Sequence, residues 1–493
     1  MVRGAAGVVL AAVLLSSGAS AQSAPADPRD ALWKRATAET PLASELEELT
    51  DRVGGRITGT PACTRAETWA RDRFHALKLS RVELEAFTLP VLWLPGTVEV
   101  RVTAPEAFLV RAAAAPASPS LAPLETRVVD AGEGTEADFA RLGKGAAGAI
   151  LLVHQKEMNT FDQLFEEYLH SRPLLAAARA ARASAVLLES TRPRGLLYRH
   201  PVDFGALAPV ATVLISREGA ERIGRLLTHG EVRARVAVQN QTGGVNVSEN
   251  VVAEIPGREK PGEVVLLGAH LDSWDLGTGA EDNGVNVALV LDVARAFKEL
   301  GLVPRRTVRF VLFTGEEQGM YGSAGYADRH KAELRDHVGV VIFDVGSGHT
   351  NGFAVSGRKE LRPALAHAFS GVPGLGEEGA HSLDAFDGTD NFDFLLAGVP
   401  TFVADQDPAP YLPDYHAESD VFERVNLAQA KRNAALAAVL VWALAEAPQP
   451  PGRHQSRSEV EALLKATKLD VQMKGFGQWE DWVAGKRGFP RPP

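Results

Sequence analysis

Several apolar, strand-like runs in the second half of the chain end on a histidine or a carboxylate, and this restricts the fold more than any other feature. His270 closes EVVLLGAH, Glu316 and Glu317 close RTVRFVLFTGEE, Asp344 closes HVGVVIFD, and His416 follows GVPTFVAD and the loop after it. Asp282 stands between the first two runs, ahead of a helix-like stretch. Strands alternating with helices predict an α/β fold. In open α/β sheets the site forms outside the carboxyl ends of the strands. Carboxylates and imidazoles converging there are the ligand chemistry of zinc, whose bonds to nitrogen and oxygen run about 2.0–2.2 Å. Taken singly, each residue reads as a helix cap or a solvated loop residue. Their joint placement on strand ends favours a metal site. The set holds one carboxylate more than ligation needs, and the excess sits in the adjacent pair Glu316-Glu317. Neighbours on an extended stretch point to opposite sides. One can bind metal while the other faces substrate as a base.

The longer segments HLDSWDLGTGAEDNGVNVALVLDVARAF, TVRFVLFTGEEQGMYGSAGYA, VIFDVGSG and YHAESDVFERVN resemble the co-catalytic zinc aminopeptidase family (clan MH), in its plasma glutamate carboxypeptidase-like branch. GGRITGTPACTRAETWARDRF and NVSENVVAEIPG resemble it too. The similarity is strong over about 40–90 and 244–446 and weaker between. The resemblance implies a three-layer zinc-aminopeptidase fold with a mixed central sheet and two Zn²⁺ ions per chain. It implies that His270 and Asp344 bind one zinc, Glu317 and His416 the other, and that Asp282 bridges them. It makes Glu316 the general base, and Asp272 the residue that orients the His270 imidazole, as such ligands usually need. The implied activity is that of a zinc exopeptidase, a hydrolase acting on dipeptides or short peptides through a metal-bridging water. The substrate-binding residues are not assigned. Two rivals share the fold: a glutaminyl cyclase-type acyltransferase with one zinc, and an inactive receptor-like relative. A thiol nucleophile is disfavoured because the only cysteine, Cys63, lies far from these motifs. No G-x-S-x-G elbow accompanies the site, which lowers the case for a serine hydrolase.

The 493 residues allow two or three domains. A formal net charge of −10 disfavours nucleic acid and anionic membranes as partners, since both reward basic patches. Arg305-Arg306 and Lys486-Arg487 read as solvated surface. Residues 1–21 read as a signal peptide: Arg3 supplies the positive start, Ala5 to Leu15 the apolar run, and Ala19-Ser20-Ala21 the cleavage site. The address is then secreted or periplasmic, with no membrane span after processing. A single cysteine excludes an internal disulfide.

The expected domains are the N-terminal part of the catalytic domain at 22–104, a protease-associated-like α/β insertion at 105–243, the catalytic domain at 244–447 and a C-terminal extension at 448–493. The Ala- and Pro-rich residues 105–125 mark the first boundary. Beyond them TRVVDAG, GAAGAILLVHQ, ASAVLLES and VATVLIS read as strands, which form a separate domain or join the catalytic sheet. The insertion would cover the site or aid homodimer contacts, and none of its residues reads as catalytic. Thr389 and Asp390 suit a helix N-cap or the border of the substrate pocket. Asp420 suits a supporting or a capping carboxylate, Tyr415 an oxyanion donor or packing, and Asp387 and Asp393 the surface. Trp479 and Trp482 would dock the tail onto the body or a partner.

Overall fold

The computed structural model describes residues 1–2 and 27–488. The signal peptide expected at 1–21 therefore lies almost wholly outside the described residues. Among the described residues, fifteen strands form two sheets. They are β1 (Ser80–Leu89), β2 (Leu92–Ala104), β3 (Phe108–Val110), β4 (Ala112–Ala114), β5 (Leu121–Asp130), β6 (Ile150–Val153), β7 (Ala185–Glu189) and β8 (Thr212–Ile215). The rest are β9 (Val232–Gly243), β10 (Asn246–Ile255), β11 (Lys260–His270), β12 (Arg306–Phe313), β13 (His337–Ile342), β14 (Thr350–Ala354) and β15 (Thr401–Gln406).

The first sheet has the order β1-β10-β12-β11-β13-β15-β14. Its four middle strands, β12, β11, β13 and β15, run parallel, and the flanking strands pair antiparallel. Buried side chains alternate across it. Val251, Ala253, Val265 and Leu267 face a core completed by the helices Pro28–Thr37, Pro61–Ala76, Val285–Glu299 and Leu427–Glu446. Val252, Leu266, Val311 and Ile342 face Tyr326 and Phe394 on the helices Tyr321–Arg329 and Phe392–Leu396. This is a three-layer mixed α/β sandwich. Among the described residues no helix is long and apolar enough to cross a membrane.

The second sheet has the order β3-β2-β9-β5-β6-β7-β8-β4. The strands read from residues 126–215 pair here and not within the first sheet. The sheet also begins earlier than composition suggests. β2 pairs along its length with β9, so the second sheet takes residues 92–243 and not 105–243. Two features conceal this. Pro95-Gly96 and Pro123 fall where the ladders shift register, between Leu94 and Thr97 and between Leu121 and Leu124. There a missing N–H costs no ladder bond. The alanines of β4 form a short edge strand on β8. The chain leaves the first sheet at Pro90-Val91 and returns at Gly244-Val245, and these crossings touch, Leu92 N–H donating to Gly244 O at 3.1 Å.

The tail packs on the body. Trp482 is fully buried among Phe392, Leu395 and Leu396. Arg487 reaches Asp393 through two bonds of 2.8 and 2.9 Å. Asp393 is thus a buried partner and not a surface residue. Asp387 is buried as well, and burial pushes its carboxyl up to about 7. Arg306, expected in solvent, is fully buried and pairs with Glu263 while donating to the carbonyls of Leu444 and Ala447.

Candidate metal centre

His270 is the last residue of β11, and Asp344 follows β13 by two residues. Asp282 sits in the turn Ala280–Gly284 that leads into the helix Val285–Glu299. His416 lies on the loop after β15. All four side chains are buried or nearly so, and they meet at the carboxyl edge of the parallel strands. The expectation for Glu316-Glu317 needs one change. β12 ends at Phe313, and Gly315 at φ +76 turns the chain, so both glutamates stand on a turn beyond the strand. Met320 N–H donates back to Glu316 O at 2.8 Å. The alternation expected of neighbours on a strand therefore does not apply to this pair.

Two triads result. His270 Nε2 lies 2.9 Å from Asp344 Oδ1 and 3.1 Å from Asp282 Oδ1. His416 Nε2 lies 2.8 Å from Glu317 Oε2 and 3.3 Å from Asp282 Oδ2. In each triad one donor atom from each residue lies within 4.8 Å of the others. Asp282 presents a different oxygen to each. Asp282 Oδ2 and both Glu317 oxygens are buried without a hydrogen-bond donor. Burying such atoms unpaired is expensive, and a cation shared by each triad would satisfy them. The charges agree. Against the cost of burial, His270 and His416 hold Asp282 well below the usual carboxylate range. Against the same cost, Glu317 and Asp282 raise His416 to about 9. Burial raises Glu317 to about 7. The donors crowd negative charge around two points, and the residues fit two divalent ions.

The free imidazole nitrogens are both held. His270 Nδ1 lies 3.1 Å from the main-chain carbonyl of Asp272. The contact expected with the Asp272 carboxylate is longer, 3.7 Å. That carboxylate accepts from Thr58 Oγ1 at 2.9 Å and from Glu316 N–H at 3.4 Å, and Thr58 Oγ1 in turn accepts from Gly315 N–H at 2.8 Å. Asp272 thus ties the His270 loop to the turn that carries both glutamates. His416 Nδ1 lies 3.0 Å from the carbonyl of Arg199, a residue of the second sheet's connecting segment. Asp420 accepts from the N–H groups of Ala280, Glu281 and Asp282 at 3.0, 2.7 and 3.1 Å, which settles it as the support of the Asp282 turn. Buried Arg56 donates to the carbonyls of Leu271, Thr278 and Gly279 on the same loop. Thr58, Arg56 and Arg199 were not legible as site residues. The first two lie in the GGRITGTP motif, whose resemblance was the available signal.

Glu316 is half-buried, and desolvation together with the nearby negative charges of Asp344, Glu317 and Asp390 pushes its carboxyl well up. Tyr415 stacks on His416 with ring centroids 3.6 Å apart, and its hydroxyl lies 3.1 Å from that of Tyr168, so it packs and bonds away from the triads. Asp390 is fully buried, and it and Thr389 cap nothing: Asn391 stands at the helix start, and the side-chain oxygens of both residues have no donor.

Residues 250–441 match the profile of peptidase family M28, and this span holds every residue of both triads. The site-bearing part of the chain belongs to peptidase family M28. The chain is 29% identical over 412 residues to carboxypeptidase Q of Bos taurus, covering 81% of this chain and 84% of that protein. It is similar to the crystal structure of an M28 peptidase precursor from Shewanella amazonensis at 26% identity and a TM-score of 0.77, covering 87% of this chain and 98% of the other. A zinc aminopeptidase from Bacillus subtilis shares the fold at 20% identity and a TM-score of 0.65, covering 81% and 93%. The chain is a metallopeptidase, and the family match and both triads fall in the same segment.

Proposed function

We propose that this M28 peptidase is an exported two-zinc exopeptidase that hydrolyses dipeptides or short peptides. The observation that carries the reading is Asp282, whose two oxygens face two separate histidine–carboxylate triads. His270, Asp344 and Asp282 would hold one ion, and Asp282, Glu317 and His416 the other. Imidazole and carboxylate donors without thiolate suit zinc, and a structural neighbour is named as a zinc aminopeptidase. When bound, the ions supply an acidified water and a Lewis acid for the peptide carbonyl.

The chain's own residues do the rest. Glu316 takes the proton of the attacking water and returns it to the leaving amine. Burial and the neighbouring carboxylates raise its proton affinity, in keeping with a group that takes up a proton during the reaction. Asp272 keeps the Glu316 turn fixed to the His270 loop. The Arg199 and Asp272 carbonyls hold each imidazole with Nε2 toward its triad. A cleft between the two sheets leads to Glu317, walled by Thr58, Trp93, Trp274, Pro201 and Tyr321. So narrow an approach suits a chain end and not a folded protein.

Two measurements test this. Purified protein should carry two equivalents of zinc, lose hydrolysis of dipeptides on chelation and regain it with zinc. One equivalent would point to the acyltransferase, and chelator-resistant hydrolysis would sink the metal reading. Peptides blocked at either terminus then separate aminopeptidase, dipeptidase and carboxypeptidase action. Export rests on the N-terminal segment alone: material recovered from medium or periplasm should begin near Gln22, and an intact Met1 would overturn it.

A further inference from the structure

The segment joining β7 to β8 passes directly behind the triad that contains His416. Its Arg199 touches both loops that carry the histidines. Arg199 N–H donates to His416 O at 3.0 Å, and Arg199 O accepts from His416 Nδ1 at 3.0 Å. The Arg199 guanidinium grips the Asp275 carboxylate through two bonds of 2.8 Å each and donates to Ala114 O at 2.7 Å. Asp275 lies on the loop that follows His270. Arg199 therefore spans from one histidine's loop to the other histidine's main chain.

His416 needs such support. It stands at φ +57, a left-handed conformation that disfavours any residue with a Cβ. Conformations of that kind persist where the surroundings over-determine them. Here many of the surrounding bonds come from the second sheet's residues. Tyr198 bridges Ala417. Leu197 O accepts from Glu418 N–H at 3.0 Å, and Arg111 holds the Glu418 carboxylate at 2.6 and 2.8 Å. Any residue at 199 would offer a carbonyl to Nδ1. What arginine adds is a buried planar fork, its side chain 5% exposed, that fixes where that carbonyl stands.

We infer that Arg199 is a positioning residue that locks His416 for ligation from the second sheet, so that one half of the metal centre is completed by residues 92–243. The inference rests on the two-ion reading proposed above. Outer partners of ligating histidines are worth about 10–100-fold in metal affinity.

The test is calorimetric titration of the metal-free full-length protein with Zn²⁺, alongside the melting temperature of each metal-free variant. The parent should show two binding steps. Arg199→Ala should weaken one step by about 10–100-fold and leave the other as in the parent. Arg199→Lys should recover only part of the loss, because it keeps the charge and loses the fork. Asp275→Ala, made at a side chain that is 30% exposed, should weaken the same step. Two parental steps in Arg199→Ala overturn the inference. Equal weakening of both steps with a lowered melting temperature also overturns it, because that is the mark of a general structural role. If Arg199→Ala does not fold, Asp275→Ala decides, and unaltered steps there overturn the inference. A parent that binds fewer than two equivalents sinks the two-ion reading itself, and this inference with it.

Discussion

Glu316→Gln is expected to keep its metal and lose the reaction. The substitution preserves size and hydrogen bonding but removes the group that accepts a proton. kcat should fall by roughly 10²–10⁴, the range typical of general-base loss, with zinc content as in the parent. Glu317→Gln should behave in the opposite way. Both Glu317 oxygens are buried without a donor, and one lies 2.8 Å from His416 Nε2, so the neutral amide would weaken the triad itself. That variant should be metal-poor, with activity partly recovered at high zinc. Metal analysis beside steady-state kinetics on both variants checks the assignment. A metal-poor Glu316→Gln with a fully loaded, inert Glu317→Gln would reverse the two roles. If both variants keep metal and activity, the chemistry lies elsewhere.

Asp282→Asn should be the most damaging single change. One atom substitution removes negative charge from both triads and turns an oxygen of one of them into an N–H₂ donor. Breaking a buried ionic contact by removing one partner costs about 3–5 kcal/mol. At about 1.4 kcal/mol per decade, ion affinity should drop by roughly 10²–10⁴. The variant should lose metal from both positions on gel filtration, and its hydrolysis should fall with the metal. Loss of a single equivalent would assign Asp282 to one triad only. Full retention of both would end the bridging role.

The candidate ligands were legible because β12 and β13 are buried at every position and β11 over its last seven. Such strands read as unbroken apolar runs, and a polar residue at their ends stands out. The turn carrying Glu316 and Glu317 was less legible, since a glycine at positive φ looks the same in sequence as one in a strand. The extent of the second sheet was hidden by prolines placed where its ladders slip. Asp393 and Arg306 read as surface because the partners that bury them, Arg487 and Glu263, are distant in sequence and give no local signal. Arg199 was hidden most deeply. Its contact with His416 is made by the main chain, which no residue type announces.

The paired crossings at Pro90-Val91 and Gly244-Val245 also bear on how the molecule assembles. β1 and β10 are antiparallel neighbours in the first sheet, yet residues 92–243 separate them. Topologically they form a hairpin whose turn is an entire folded unit. Closing an unstructured loop of that length would cost about 4 kcal/mol more than a tight turn, by the logarithmic growth of closure entropy. Once β2 and β9 have zipped together, their ends deliver β1 and β10 already side by side, and the closure cost has been met by the second sheet's own pairing. The second sheet would then serve as a folding template for the first sheet's outer edge.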